Sequence, residues 1–380
     1  MMAKQRTRGS GGWKRSINPW GQGKKGILAL MTALTVTAAA PIAVLVPANQ
    51  VHAAEEVRLS VTDWPMMIDG VAALVPAANV EGNTYIGLRA LNERLGLGTG
   101  WDPEKRAVTV SGKGRTLTFK LDDPYTYSLY GQEIHGLPAI VQDGSTYLPL
   151  RFLLERMGYD ISYDAPTRTI HISTIEENRL SIQTETISEE GERQSLLVNY
   201  PQITGFADKV IQDKINAFLK MEAESQAAGG RLMLASAVGY LDEMEADIET
   251  PPVSFDGRYT ITYNEQGRLS LFVDYYSYTG GAHGLTSRVP YTFDLTTGRV
   301  LSLQEAAEGH AQYVSIINEA IHKQIKEREL FLLQPFETIE PDRAFFLTHN
   351  GIVVFFSQYE YTAYAEGMPQ FEIPFGAFRS

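Results

Sequence analysis

Residues 84–110 and 146–172 carry one pattern written twice, 62 positions apart. TYIGLRALNERLGLGTGWDPEKRAVTV aligns with TYLPLRFLLERMGYDISYDAPTRTIHI at ten identical positions of 27, where ordinary composition gives roughly two. A fixed-period repeat constrains architecture before any residue is interpreted. Each copy must form the same local structure, and the copies must bury one another's apolar faces.

Each copy reads as a ββαββ unit. The turns Glu81-Gly82-Asn83 and Asp143-Gly144-Ser145 suit positive φ. Short strands at Tyr85-Ile86 and Tyr147-Leu148 follow. Leu88, Leu91 and Leu95, then Leu150, Leu153 and Met157, recur at i, i+3, i+7 and predict one apolar helix face per copy. Gly96 and Gly158 stand where a left-handed helix end is expected. Trp101-Asp102 and Tyr163-Asp164 open hairpins that return through Val108–Val110 and Ile170–Ile172. Arg89 and Arg151 recur in both copies, so they are expected to serve the unit by tying helix to loop, at Asp102 or Asp164. The pairs Glu93/Glu155 and Arg94/Arg156 are expected on solvated helix faces.

The pattern Thr-Tyr-x-x-x-Arg, Glu-x-x-Gly, Trp/Tyr-Asp and a closing strand resembles the copper amine oxidase N-terminal-like domain, over about residues 65–175. Unit one departs from it with Gly87 where unit two keeps Pro149. The resemblance implies a non-catalytic stalk module common on surfaces of Gram-positive bacilli. The amine oxidase reaction itself is not implied. It needs a histidine cluster and a tyrosine in an Asn-Tyr-Asp/Glu context, whereas Asn199-Tyr200 is followed by Pro201. Six histidines follow Ala53, at 135, 171, 283, 310, 322 and 349, with no His-x-His or His-x-x-x-His pair. No metal, cofactor or catalytic residue is therefore assigned.

Residues 1–53 hold seven Lys/Arg and no acid, with an uncharged apolar stretch from Gly26 to Val46. Val51 and Ala53 sit at −3 and −1 of a cleavage site, so a secretory signal peptide is expected. An uncleaved anchor is the alternative, since 21 apolar residues span a bilayer. Membrane contact is expected only there. Subtracting these seven from 33 bases leaves 26 against 45 acids, a net charge of −19. Nucleic acid is an unlikely partner for such a surface. The absence of cysteine fits an extracytoplasmic protein of a Gram-positive bacterium, secreted or wall-associated, and removes thiol chemistry.

The sequence divides at Glu176-Glu177-Asn178-Arg179, read as a linker between a repeat domain at 55–175 and a second domain at 176–380. Strands are expected at Leu180–Ile187, Leu196–Val198, Arg258–Tyr263, Leu269–Tyr276, Ala344–Leu347, Ile352–Phe356 and Gln370–Ile373. One long helix is expected after Ile203, on Ala207, Ile211, Ile215 and Phe218, and another over 303–327. Residues 229–250 fit either state. The order predicts an α+β domain built on an antiparallel sheet.

Three runs stand out here: Tyr275–Gly284 with its Gly-Gly-Ala-His-Gly loop, Phe293-Asp-Leu-Thr-Thr-Gly298, and Tyr359-Glu-Tyr-Thr-Ala-Tyr-Ala-Glu-Gly367. Tyrosine suits half-wet contacts, and glycines let backbone approach a ligand. Tyr278, Gly281, His283, Tyr361 and Tyr364 are the candidate ligand-binding residues. A histidine in such a loop also serves to lock the turn. These runs resemble the paired domains of unknown function of RsiV-like, lysozyme-sensing anti-sigma factors and of peptidoglycan deacetylase N-terminal regions, over about 180–378. A deacetylase would add an Asp-Asp pair with a His-x-x-x-His site, and Asp122-Asp123 has no such partners. About 25 residues before the apolar segment leave no room for a sigma-binding domain. The resemblance thus implies a non-enzymatic extracytoplasmic module binding a cationic protein such as lysozyme, or cell-wall glycan. A structural wall spacer is the alternative, and a wall-acting enzyme using acids such as Asp274, Glu360 or Glu366 a further one.

Overall fold

The computed structural model describes residues 58–243 and 251–379; the signal segment expected at 1–53 lies outside them. The chain is α+β, with several antiparallel and mixed sheets and few helices.

Its first half contains β1 (Thr62–Ile68), β2 (Val71–Val80), β3 (Asn83–Gly87), α1 (Leu88–Leu95), β4 (Gly98–Asp102) and β5 (Ala107–Gly112). Then come β6 (Arg115–Lys120), β7 (Asp123–Leu129), β8 (Gln132–His135), β9 (Ile140–Gln142), β10 (Ser145–Pro149), α2 (Leu150–Arg156), β11 (Tyr159–Asp164) and β12 (Thr169–Thr174). Equivalent turns adopt equivalent backbones: φ is 50° and 83° at Glu81-Gly82, and 51° and 72° at Asp143-Gly144.

The two copies are not stacked side by side. Strand β3 pairs antiparallel with its own equivalent, β10, with Gly87 opposite Tyr147, Ile86 opposite Leu148 and Tyr85 opposite Pro149. Leu148 is Ile86 plus 62, so the pairing is self-complementary about that position, the intramolecular analogue of a twofold interface. Ile86 and Leu148 are both buried, in a core shared by α1 and α2. Each such side chain stabilises the fold by about 1.5–3 kcal/mol.

The hairpins after the helices then part company. β11-β12 extend the sheet of β1, β2, β3, β10 and β9, with β12 parallel to β1, whereas β4-β5 join β6, β7 and β8 in a separate five-stranded sheet. Identical local signals thus end in different sheets, because their neighbours differ.

The second half begins with β13 (Ser181–Glu190), β14 (Gln194–Thr204) and α3 (Lys209–Glu243). It continues with β15 (Val253–Glu265), β16 (Arg268–Tyr278), β17 (Leu285–Asp294), β18 (Arg299–Val300), α4 (Leu303–Ala306) and α5 (Tyr313–Glu327). It closes with β19 (Phe345–Leu347), β20 (Gly351–Phe355) and β21 (Gln370–Pro374). Strands β13 to β18 form one sheet in chain order, and β19 to β21 another.

Two expectations are corrected and one open segment is decided. The large sheet is mixed, because α3 carries the chain back so that β14 and β15 run parallel. The ambiguous segment is helical up to Glu243. The helix expected over 303–327 breaks into α4 and α5 around Glu308 (φ 56°) and Gly309 (φ 75°).

Strand β16 explains the layering. Leu269, Leu271, Val273 and Tyr275 face α3, alongside Ile215, Leu219 and Ala227. Phe272 points the opposite way into a cluster with Phe346, Val353 and Phe355 of the small sheet. Both faces are covered, so residues 269–273 are apolar except for Ser270. Ser270 Oγ, buried, bonds Thr292 Oγ1 (2.8 Å) and accepts from the Leu347 amide (2.9 Å), seating one sheet on the other.

The stretch expected as a linker is bonded on both sides. Glu177 pairs with Arg115 at 2.5 Å, and the Asn178 amide donates to the Asn264 carbonyl (2.9 Å) while its side chain donates to that of Arg268 (2.8 Å). The stretch is fixed because its polar groups complete those of both halves.

Candidate functional site

The β16–β17 hairpin ends in the Gly-Gly-Ala-His-Gly loop, residues 280–284. Gly284 is there because nothing larger fits: a Cβ would lie 2.3 Å from the Tyr276 ring and 2.5 Å from the Ser277 carbonyl. The Gly284 amide donates to Tyr276 Oη (3.2 Å). Gly281 has no such requirement, since a Cβ there meets only the His283 carbonyl at 3.9 Å.

This loop meets the segment following β20. The His283 ring stacks on Tyr364 with centroids 4.0 Å apart and planes 23° apart. Tyr359 lies 6.5 Å from His283 and 5.7 Å from Tyr364. The Gly284 carbonyl accepts from Tyr364 Oη (3.1 Å) and stands 3.1 Å from His283 Nδ1. His283 Nε2 is 3.4 Å from Tyr359 Oη. A proton on Nδ1, donated to that carbonyl, leaves Nε2 to accept from Tyr359 and satisfies the set. The Thr286 amide adds a bond to Gln358 Oε1 (2.7 Å).

Tyr359 holds a left-handed backbone, φ 64°, a conformation that costs a bulky residue about 1–2 kcal/mol. The surroundings enforce it. Glu360 accepts from the Ser357 amide (2.7 Å) and grips Arg343 through both oxygens, at 2.5 and 2.7 Å. Arg343 also donates to the Phe355 carbonyl, anchoring the turn to β20. The result is an exposed aromatic surface: Tyr359 is 49% exposed, and Tyr276 and Leu285 stand exposed beside it. A cleft of roughly 310 Å³ adjoins it, lined in part by Asp256, Asp274, Tyr276 and Thr286.

The structure brings His283 and Tyr364 together and separates them from Tyr361. Tyr361 packs into the core below, on Phe356 (4.4 Å) and edge-on to Phe336 (5.6 Å), and burial raises its hydroxyl pKa. Tyr361 is only partly buried there, and it faces other neighbours than Tyr364 because residues i and i+3 in an irregular segment need not share a face. Tyr278 ends β16, opposite Ser254. Tyr359 and Tyr276 are the residues that sequence reasoning passed over. Both lie inside the tyrosine runs, and only the fold brings them to one surface.

Behind this surface, Asp274 holds Arg288 bidentately (2.8 and 2.7 Å). The guanidinium lies 3.8 Å from the Phe272 ring centroid and is nearly buried. This is a structural ion pair with cation–π support, which removes Asp274 as a free acid. Glu360 is engaged with Arg343 in the same way. Among the described residues no group of three or more His, Asp or Glu is disposed to hold a metal. What the arrangement offers is contact chemistry: flat rings, hydroxyls and one imidazole at a rim.

The repeat arginines are corrected too. Arg151 pairs with Glu155 one turn along its own helix (2.9 Å), and Asp164 accepts from Thr167 (2.6 Å). Asp102 caps its own turn through the Glu104 and Lys105 amides. Arg156 is not a solvated residue: it donates to the Phe152 carbonyl (3.0 Å) and lies 3.9 Å from that ring's centroid.

The first half is built on the repeated pattern and the second is an α+β arrangement of sheets and helices. Comparison with known proteins agrees. Residues 67–172 match the copper amine oxidase N-terminal domain family, 187–286 the family described as deacetylase PdaC, and 306–376 a family of proteins of unknown function, DUF3298. The chain is thus similar to copper amine oxidase N-terminal domains in its first half and to RsiV-like regions in its second. Over 216 residues it is 24% identical to the anti-sigma-V factor RsiV of Bacillus subtilis, covering 50% of this chain and 66% of that protein. DUF3298-family crystal structures from Bacteroides fragilis and Pseudomonas aeruginosa align with TM-scores of 0.42 and 0.37, at 16% and 18% identity. They cover 54% and 53% of this chain and 94% of each structure.

Proposed function

We propose that this is a non-catalytic extracytoplasmic binding protein whose C-terminal module, residues 176–380, engages a ligand through the surface around His283, Tyr359 and Tyr364. The carrying observation is the stack of exposed His283 on half-buried Tyr364, with Tyr359 held beside it in a costly backbone conformation. Strain maintained at an exposed aromatic, away from any core, is typical of a contact site. The RsiV-like resemblance makes lysozyme the first partner to test, and cell-wall glycan the second. A basic partner is favoured by 45 acids against 33 bases, a net charge of −12, which steers cationic proteins inward.

Titration calorimetry of the full chain against lysozyme and against soluble peptidoglycan fragments tests this. Binding of either is expected, weakened at least about tenfold by Tyr364→Ala or Tyr359→Ala, while Tyr278→Ala has a smaller effect. Absence of heat with both at high micromolar concentration would leave the spacer reading. Clearing of cell-wall suspensions by the protein would replace it with an enzymatic one.

A further inference from the structure

The repeat domain holds two open clefts that are copies of each other. The first, of roughly 700 Å³, is lined by Arg89, Trp101 and Val108 of unit one and by Gly144 and Thr146 of unit two. The second, of roughly 330 Å³, is lined by Arg151, Tyr163 and Ile170 of unit two and by Gly82 and Thr84 of unit one. Adding 62 to 89, 101 and 108 gives 151, 163 and 170; subtracting 62 from 144 and 146 gives 82 and 84. Each cleft therefore takes its helix and aromatic from one copy and its turn from the other. The self-complementary β3–β10 pairing causes this, because it sets the helix start of each copy against the turn of its partner.

The occupants of equivalent positions agree in chemistry. Trp101 and Tyr163 are 52% and 53% exposed, too open for core residues and matched between copies. Arg151 and Glu155 pair across one helical turn, and Arg89 and Glu93 have the same spacing. Neither arginine is spent on the loop aspartates, whose carboxylates bond within their own turns.

We propose that these clefts are twin saccharide sites, each taking a neutral pyranose unit. A half-exposed indole or phenol offers a flat face for the C–H face of a sugar ring. Beside it, the guanidinium donates to ring hydroxyls or an acetamido carbonyl, and in the first cleft the Glu93 carboxylate accepts from hydroxyls. A polyanionic chain is disfavoured, since each arginine has its glutamate at i+4 and the net charge is −12. These sites are separate from the His283 surface, so either assignment can fail alone.

Calorimetry of the full chain with neutral chito-oligosaccharides, and with oligogalacturonate as the acidic counterpart, tests the proposal. Two binding events per chain are expected for the neutral oligomer. Trp101→Ala and Tyr163→Ala should each remove one, and the double variant both. Both side chains are exposed, so unchanged thermal melts are expected to show intact folding. An event lost in Tyr364→Ala belongs to the His283 surface and is not counted among the two. The proposal is overturned if the double variant binds as wild type does, if the neutral oligomer gives no binding at millimolar concentration, or if the acidic oligomer binds more tightly.

Discussion

Glu265 shows how a single side chain couples the protein to pH. It ends β15 with its side chain only 8% exposed, and His349 Nδ1 approaches both of its oxygens, at 2.9 and 3.0 Å. Burial raises its carboxyl pKa, with Glu177 and Asp160 adding to the effect, while the His349 hydrogen bond opposes it. A carboxyl whose pKa is raised in the fold binds its proton more readily folded than unfolded. Its contribution to stability is full below the unfolded value and declines as pH rises through the folded one. The difference in unfolding free energy between wild type and Glu265→Gln is therefore expected to fall as pH rises above the ordinary carboxylate range of about 4. Urea titrations at several pH values measure it, and a difference that rises with pH would contradict the assignment.

At the scale of the element, α3 carries a matched pair of glycines with opposite roles. A Cβ at Gly230 would lie 2.5 Å from the Phe255 ring, so this glycine lets the helix lie close on the sheet. Gly229 faces open space. Alanine is the better helix former by about 1 kcal/mol. Gly229→Ala should accordingly stabilise the protein by up to about 1 kcal/mol, and Gly230→Ala should destabilise it by about 1–3 kcal/mol through overpacking. Thermal unfolding of the two variants decides it, and equal shifts would show that the contact yields. The break before α5 follows the same local logic. Ser302 and Glu305 form a reciprocal capping box at α4, which starts a short helix that the left-handed Glu308 and Gly309 then end.

Across the whole molecule, the described part of the two halves is joined by a side chain acting as backbone. Gln132, 3% exposed, donates through Nε2 to the Tyr259 carbonyl (2.8 Å) and accepts the Tyr259 amide at Oε1 (3.3 Å). Arg258 reaches the Glu133 carbonyl (2.5 Å), a second bond across the joint. Gln132→Ala removes two buried bonds at once and is expected to cost about 2 kcal/mol. Calorimetric scans should show one transition in wild type, and in the variant an earlier onset with the halves separating. A variant scan superimposable on wild type would show that the joint carries no coupling. No helix among the described residues is long and apolar enough to cross a membrane.

Local signals were legible in the sequence because their causes are local. The positive-φ turns at Gly82 and Gly144, the helix faces of Leu91 and Leu153, and the Asn264–Gly267 hairpin follow from turn chemistry and periodicity. His283 and Tyr364 were picked out by residue type alone. What the sequence could not show was which strand meets which. The pairing of β3 with its own copy, the parting of the two repeat hairpins and the packing of Tyr361 on Phe336 depend on partners elsewhere in the chain. Repetition determined that the first half would contain two equivalent units. Only tertiary structure decided that they cross, because antiparallel pairing of identical strands is self-complementary and places each unit's turn against the other's helix.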